Sequence, residues 1–128
     1  MAMIDSFISY LENSQIHFER AENSINFEQE GLHYVYLYNP DDPTYFRLML
    51  PRLVEINEKN NNRLLEISLG LATKYKVGKV IRFENNLWLS FEVFILSFDI
   101  DNSFLFKRAI RILKLMFEDM RSQISEQG

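Results

Sequence analysis

The chain has 128 residues, of which 47% are hydrophobic and 14% aromatic, with only four glycines and three prolines. This composition is typical of a single packed domain covering residues 1–128, and it excludes a disordered tail or a linker. A formal net charge of -4 disfavours nucleic acid as a partner, because a phosphate backbone attracts concentrated positive charge. Cysteine is absent, which excludes disulfides and thiolate chemistry and agrees with a cytoplasmic location.

The first fifty residues change from a helical period to a strand period. Apolar side chains at helical spacing predict an amphipathic helix over residues 3–13. The same opening stretch contains neither the basic start of a signal peptide nor an apolar run long enough to span a membrane. Alternating apolar residues then predict four strands separated by turns at "AENS", "EQEG" and "NPDDP". These strands would form an antiparallel meander that ends near Leu50.

The segment after Pro51 has apolar residues every three or four positions, which predicts a long helix reaching about Lys76. Asn57 and Asn60 lie one helical turn apart in this segment, and Asn60 falls within the apolar stripe. An Asn in such a stripe either binds a ligand or hydrogen-bonds the backbone of a neighbouring element. We favour the second, fold-organising role for this pair.

The remaining residues predict a β-hairpin and a terminal helix. The stretch "KVGKVIRFENNLWLSFEVFI" predicts two apolar-rich strands with a tight turn at Asn85 and Asn86. Asp101, Asn102 and Ser103 are candidate N-caps for a helix that continues almost to the end of the chain. The order helix, four-strand meander, long helix, hairpin and helix therefore predicts an α+β fold.

The chain resembles the YbjN-like domain over nearly its whole length. The resemblance rests on the element order, on the Asn-bearing segment "EINEKNNNR", on the hairpin sequence and on the terminal helix opening "DNSFLFKRAI". Members of that family are described as bacterial sensory transduction regulators, and their fold is shared with type III secretion chaperones. The resemblance implies a small, non-enzymatic and often dimeric domain that presents a surface to another protein. One departure is "LLEISLGLATKY", which makes the Asn-bearing helix longer than in the family.

The stretch "HYVYLY" raises the question of what covers the second face of the sheet. Three tyrosines alternate here with Val35 and Leu37, so large apolar groups occur on both faces of one strand. Tyrosine suits a surface that is half dry and half wet, because its ring is apolar and its hydroxyl is polar. A strand buried on both sides, with the second side covered by a twin subunit, would explain this pattern. Two alternatives remain: helices cover both faces, or the tyrosines face water. The predicted partner or dimer surface consists of Tyr34, Tyr36, Tyr38 and Trp88.

No combination of residues predicts a catalytic, cofactor or metal site. His17 and His33 lie on separate strands without another ligand at metal-binding spacing or a nucleophile beside them. Asp41 and Asp42 lie in a turn, where Asp commonly makes local hydrogen bonds. The basic residues of the terminal helix are interrupted by Glu118 and lack interleaved aromatic residues, which indicates a solvated face rather than a nucleic-acid site.

Three functional hypotheses follow from these observations. The leading one is a non-catalytic protein-binding module, regulator- or chaperone-like, acting as a homodimer that presents a sheet or helix surface to an unidentified protein partner. The second is a small-ligand binder or enzyme with a tyrosine-lined pocket, which requires a deep concavity with converging polar groups. The third is an assembly role through dimerisation alone.

Overall fold

The computed structural model describes residues 3–75, 77–95 and 101–126. The predicted order of elements and the α+β class are confirmed. In chain order the elements are α1 (Met3–Asn13), β1 (Phe18–Arg20), β2 (Ser24–Gln29), β3 (Leu32–Leu37), β4 (Tyr45–Glu55), α2 (Asn61–Lys74), β5 (Gly78–Phe83), β6 (Asn86–Phe94) and α3 (Ser103–Ser125). None of these helices is both long enough and apolar enough to cross a membrane.

The six strands of the described residues form one antiparallel sheet in the order β1-β2-β3-β4-β6-β5. Its first four strands are the predicted meander. The turn between β2 and β3 places Glu30 and Gly31 at φ of 51° and 81°, the left-handed conformation that a tight two-residue hairpin requires. The later hairpin joins the same sheet because β6 pairs with β4, with Leu48 opposite Phe91. The two halves of the chain therefore share one core.

One face of the sheet carries the main core beneath α1 and α3. Phe7 of α1 lies at its centre, with ring-centroid distances of 4.9 Å to Tyr36, 5.6 Å to Phe46 and 5.1 Å to Phe106 of α3. All four of these aromatic side chains are buried. The N-terminal and C-terminal helices therefore meet over β3 and β4, and both cover the same face.

The third helix, α2, packs on that same face at its other end. Leu64, Ile67 and Leu71 form a second buried cluster with Leu87 of β6 and Met120 of α3. Leu87 alternates with Trp88 along β6, so it shares the face on which Leu89 is buried. All three helices of the described residues thus lie on one side of the sheet, and none of them covers the other side.

Asp119 of α3 connects α3 to the end of α2 by polar contacts. Its carboxylate accepts hydrogen bonds from Gln123 Nε2 at 2.9 Å, from Lys74 Nζ at 2.9 Å and from the Tyr75 hydroxyl at 3.2 Å. These donors, Gln123 first and Lys74 second, lower the pKa of Asp119 below its ordinary value. The ionised carboxylate is therefore the form that the α2–α3 junction favours.

Gly78, the first residue of β5, lies against the Met116 side chain of α3. A Cβ atom at this position would be 2.2 Å from the Met116 sulfur and 2.8 Å from its methyl carbon. Met116 is buried, so a methyl group at position 78 would require the flexible end of the Met116 side chain to shift within the core. Glycine here allows the helix to approach the strand.

The predicted end of the meander near Leu50 is wrong, because β4 continues to Glu55. Its pairing with β6 is irregular between Leu50 and Val54, and Arg52 within that irregularity has φ of 49°. A bulge takes residues out of the hydrogen-bonded ladder, which allows Pro51 to occur inside a strand. Proline therefore marks a bulge in this chain and not the end of a strand.

The long helix is correspondingly shorter at its start than predicted. α2 begins at Asn61, so the apolar spacing of Leu53 and Ile56 reflects a strand and a loop, not a helix. Its predicted end near Lys76 lies outside the described residues, and the described helix ends at Lys74. Strand and helix periods overlap over such a short distance, so the pattern does not locate the boundary between the two elements.

Asn57 and Asn60 lie in the loop between β4 and α2, not in a helical stripe. The backbone N–H of Asn57 donates to Asn60 Oδ1 at 2.8 Å. Asn57 Oδ1 in turn accepts from the backbone N–H of Lys59 at 2.9 Å and of Asn60 at 3.0 Å. Asn60 Nδ2 donates to the Glu55 carbonyl oxygen at 2.9 Å. The two amides thus bind the loop to the end of the strand.

Candidate docking surface

The helix-free face of the sheet carries a group of apolar side chains that we call the sheet patch. Together with His33 and Arg52 they line a surface hollow of about 460 Å³. An antiparallel sheet with one face in water normally alternates apolar and polar residues, so a continuous apolar group on the outer face is unexpected. The sheet patch consists of Val35, Leu37, Met49, Pro51 and Trp88.

Strand pairing brings these side chains together from three strands. Val35 of β3 is opposite Met49 of β4, and Met49 is opposite Ser90 of β6, two residues from Trp88. Met49 is only 4% exposed although no helix covers it, which shows how tightly its neighbours surround it. Leu37 at the end of β3 remains 37% exposed. The sheet patch is therefore packed at its centre and open at its margin.

Trp88 is the largest side chain of the sheet patch. It is opposite Ile81 of β5, and its ring meets the ring of Phe83 edge-on, with a centroid distance of 5.5 Å and an interplanar angle of 86°. Its indole Nε1 is buried and has no hydrogen-bond acceptor among the described residues. Phe83 itself is 53% exposed. Tryptophan is among the residue types most enriched at the energetic centres of protein interfaces.

Glu92 forms a polar cluster beside the sheet patch on the same face. Its carboxylate accepts a hydrogen bond from the Ser90 hydroxyl at 3.0 Å and another from the Tyr45 hydroxyl. Lys79 Nζ lies 3.4 Å from it and Arg47 Nε 3.7 Å. Burial raises the pKa of Glu92 above its ordinary value. The cluster gives the apolar surface a rim that contains both signs of charge.

The prediction that Tyr34 and Tyr36 form a partner or dimer surface is wrong. Both are fully buried beneath the helices. Tyr34 stacks on Phe27 with centroids 5.0 Å apart, and its hydroxyl donates to the Ile110 carbonyl oxygen of α3 at 3.3 Å. Burial raises the pKa of Tyr34 to about 12 and also raises the pKa of Tyr36. These tyrosines are therefore core residues.

The remaining two predicted surface residues lie on different parts of the fold. Tyr38 is half-buried at the edge of the main core, whereas Trp88 lies on the helix-free face. A period of two separates the two faces of a strand but does not indicate which face the helices cover. The sequence therefore did not show whether the tyrosine side of β3 faces the core or the outside. Val35 and Leu37, which alternate with the tyrosines, were the sequence signal for the sheet patch.

Two further hollows bear on the ligand and metal hypotheses. Tyr10 and Tyr34 line a cleft of about 400 Å³ beside α3, so a tyrosine-lined concavity exists. His17 and His33 border one hollow of about 370 Å³, where His33 Nε2 lies 3.1 Å from Asn26 Oδ1. Within the described ranges, no three His, Asp or Glu side chains come together in a way that could hold a metal ion.

Comparisons with known proteins identify the fold. The sequence matches no protein-family model and no curated protein. Among solved structures, the chain is similar to YbjN from E. coli, described as a putative transcription regulator, with a TM-score of 0.66 and 8% sequence identity. The match covers 93% of this chain and 91% of that one. At this identity the similarity shows the fold alone, and the predicted YbjN-like fold is confirmed.

Proposed function

We propose that this chain is a non-catalytic protein-binding module, regulator- or chaperone-like, that works as a homodimer joined through the sheet patch. The observation that carries the proposal is the position of all three described helices on one face, which leaves an apolar group around Trp88 on the other. Exposed contiguous apolar surface of this kind marks interaction sites in folded proteins.

The composition of this face supports a protein as its occupant. Interfaces combine an apolar centre with a polar rim, and Trp is enriched among the residues that carry their binding energy. Here the apolar centre is bordered by the Glu92 cluster on one side and by Arg52, whose guanidinium lies 3.7 Å from Glu84, on another. Apart from His33 and Arg52, the residues that line this hollow are apolar, so it lacks the converging polar groups that orient a small molecule and suits a polypeptide surface better.

A second copy of the chain is the occupant that we favour. In a two-fold dimer the same patch occurs on both subunits, so the apolar centre of one subunit packs against the apolar centre of the other. The rim contains Lys79 and Arg52 as well as Glu92 and Glu84, which allows opposite charges to pair across the axis. The unidentified protein partner would then bind the helix side of the dimer, where Leu65 and Leu69 of α2 are exposed.

The regulator or chaperone-like assignment draws on the fold. YbjN from E. coli is described as a putative transcription regulator, and the sequence resemblance extends to a family whose fold is shared with secretion chaperones. We also propose that the protein acts in the cytoplasm, away from membranes and nucleic acid. The lack of cysteine and the net charge of -4 support this placement.

Site-specific photocrosslinking in cells tests the proposal. A photoreactive phenylalanine analogue is placed at Leu37 in the sheet patch or, as the matched control, at Leu69 on α2. We expect irradiation of the Leu37 derivative to give a product of about twice the 15.3 kDa chain mass, composed of this chain alone. The Leu69 derivative should not give that product. Crosslinking of Leu37 only to a different protein, or to nothing, would contradict the homodimer.

A further inference from the structure

A cleft on the helix side of the molecule combines an apolar wall with concentrated positive charge. It lies between the end of α1, the turn joining β2 to β3, and α3, and has a volume of about 400 Å³. Tyr10, Ile16 and Ile110 supply apolar surface, and Tyr34 closes the inner end. This volume is within the range of small-molecule sites, roughly 300–1,000 Å³.

Three cations of α3 face this cleft. Lys107, Arg111 and Lys114 are spaced four and three residues apart, which places them on one side of the helix. Glu30 is the only carboxylate that lines the cleft among the described residues, and it is paired with Lys114. Lys114 also lies 3.9 Å from Glu118 on the next turn. The positive charge of Lys114 is therefore largely compensated inside the protein.

The other two cations are not compensated. Within the described part of the chain, Lys107 and Arg111 take part in no ion pair and no hydrogen bond through their side chains. A chain of net charge -4 thus holds two unpaired cations one helical turn apart at the mouth of a concavity. Like charges at this spacing repel each other, and an anion between them removes the repulsion.

An anion that also has an apolar part would match both the cations and the apolar wall of this cleft. A guanidinium binds carboxylate or phosphate oxygens through two parallel hydrogen bonds, and an ammonium adds a point charge. Low-dielectric walls strengthen the field of charges at a cleft. The ring of Tyr10 and the side chains of Ile16 and Ile110 offer a planar or apolar group a dry surface.

We propose that this cleft binds a small organic anion. Its phosphate or carboxylate group lies between Arg111 and Lys107, and its aromatic or apolar body lies against Tyr10, Ile16 and Ile110. The site is on the helix-covered side of the sheet, away from the sheet patch, so it is independent of the homodimer proposed above. The cleft would remain accessible to ligand in either oligomeric state.

The test is a titration of the full ¹⁵N-labelled chain followed by amide chemical shifts. Phenyl phosphate and benzoate are the two anionic probes, inorganic phosphate lacks the ring, and benzyl alcohol lacks the charge. We expect saturable shifts at residues around the cleft, including Tyr10, Glu30 and Lys114, with phenyl phosphate or benzoate. The one that binds more tightly identifies the anionic group. Inorganic phosphate and benzyl alcohol should bind at least about tenfold more weakly, equivalent to about 1.4 kcal/mol.

Charge-matched variants separate the cleft from general attraction of anions to α3. Arg111→Gln and Lys107→Gln should each weaken binding of the tighter probe by about tenfold, whereas Arg108→Gln, an exposed cation of the same helix outside the cleft, should leave it unchanged. Equal weakening by Arg108→Gln would overturn the proposal. So would shifts concentrated on the sheet patch, non-saturable shifts, or equal affinity for inorganic phosphate.

Discussion

At the scale of single residues, the loop before α2 depends on two asparagine side chains. The Asn60 side chain accepts a hydrogen bond from the backbone N–H of Asn57 and donates one to the Glu55 carbonyl oxygen. Removing this side chain therefore leaves two backbone groups without their partner. We expect Asn60→Ala to lower the free energy of unfolding by about 1 kcal/mol. Urea denaturation measures this change, and Asn62→Ala on the exposed side of α2 is the control. Equal stability of the two variants would show that Asn60 has no fold-organising role.

Two glycines should respond to the same substitution with opposite signs. A Cβ on Gly78 would meet the end of the buried Met116 side chain, so we expect Gly78→Ala to destabilise the fold by about 1 kcal/mol, at the low end of overpacking costs because this flexible end can shift. A Cβ on Gly70, at an exposed position of α2, would meet no neighbouring element within 4 Å, and Gly70→Ala should stabilise the fold by up to about 1 kcal/mol. Thermal unfolding of both variants decides the question. A stabilising Gly78→Ala would show that α3 does not pack closely on β5.

Residue roles were only partly predictable from the sequence. The alternation in β3 correctly indicated that both faces carry apolar groups, but it did not distinguish the core tyrosines from Val35 and Leu37 on the outside. The deciding contact is the hydrogen bond from Tyr34 to the Ile110 carbonyl oxygen, 76 positions away in the chain. Because the donor and the acceptor are so far apart along the chain, the residues around Tyr34 do not indicate this hydrogen bond.

At the scale of elements, the junction of α2 with α3 should make stability depend on pH. The pKa of Asp119 is lowered in the folded chain, so its contribution to stability is present above its ordinary value of 3.8 and is lost as pH falls through the lowered value. We therefore expect the wild type to lose stability below about pH 4, and Asp119→Asn to lose less over that range.

At neutral pH the same variant should be less stable than the wild type by about 1 kcal/mol or less, because Lys74 and Tyr75 lose an ionised acceptor. Urea denaturation at a series of pH values measures both effects. Glu12→Gln, an exposed carboxylate at the end of α1, controls for the change of net charge. Parallel pH profiles for the wild type and Asp119→Asn would show that these contacts of Asp119 do not contribute to stability.

Element existence was predictable where the period was long and regular, as in α1 and α3. The boundary between β4 and α2 was not, because Pro51 normally ends a strand and here occupies a bulge. Pairing of β6 with β4 was also not predictable, since hydrogen bonds between strands that are distant in sequence depend on how the helices direct the chain.

At the scale of the whole molecule, all described helices lie on one side of the sheet. The sequence indicated two apolar faces, but only the fold shows that α1, α2 and α3 cover the same one. The cleft beside α3 was equally invisible from the sequence, because it assembles from segments that are distant along the chain. A dimer through the sheet patch would account for the apolar face that residues 3–75, 77–95 and 101–126 leave open.

The most direct test of that claim is the solution mass of the protein, measured by size-exclusion chromatography with light scattering over a range of concentrations. We expect the wild type to have about twice the chain mass of 15.3 kDa and Trp88→Glu to have the mass of one chain, because dimerisation would then bury a carboxylate among the apolar side chains of the sheet patch. Leu69→Glu on α2 should remain dimeric. A wild type that is monomeric at every concentration, or a Trp88→Glu variant that stays folded and dimeric, would contradict a homodimer joined through the sheet patch.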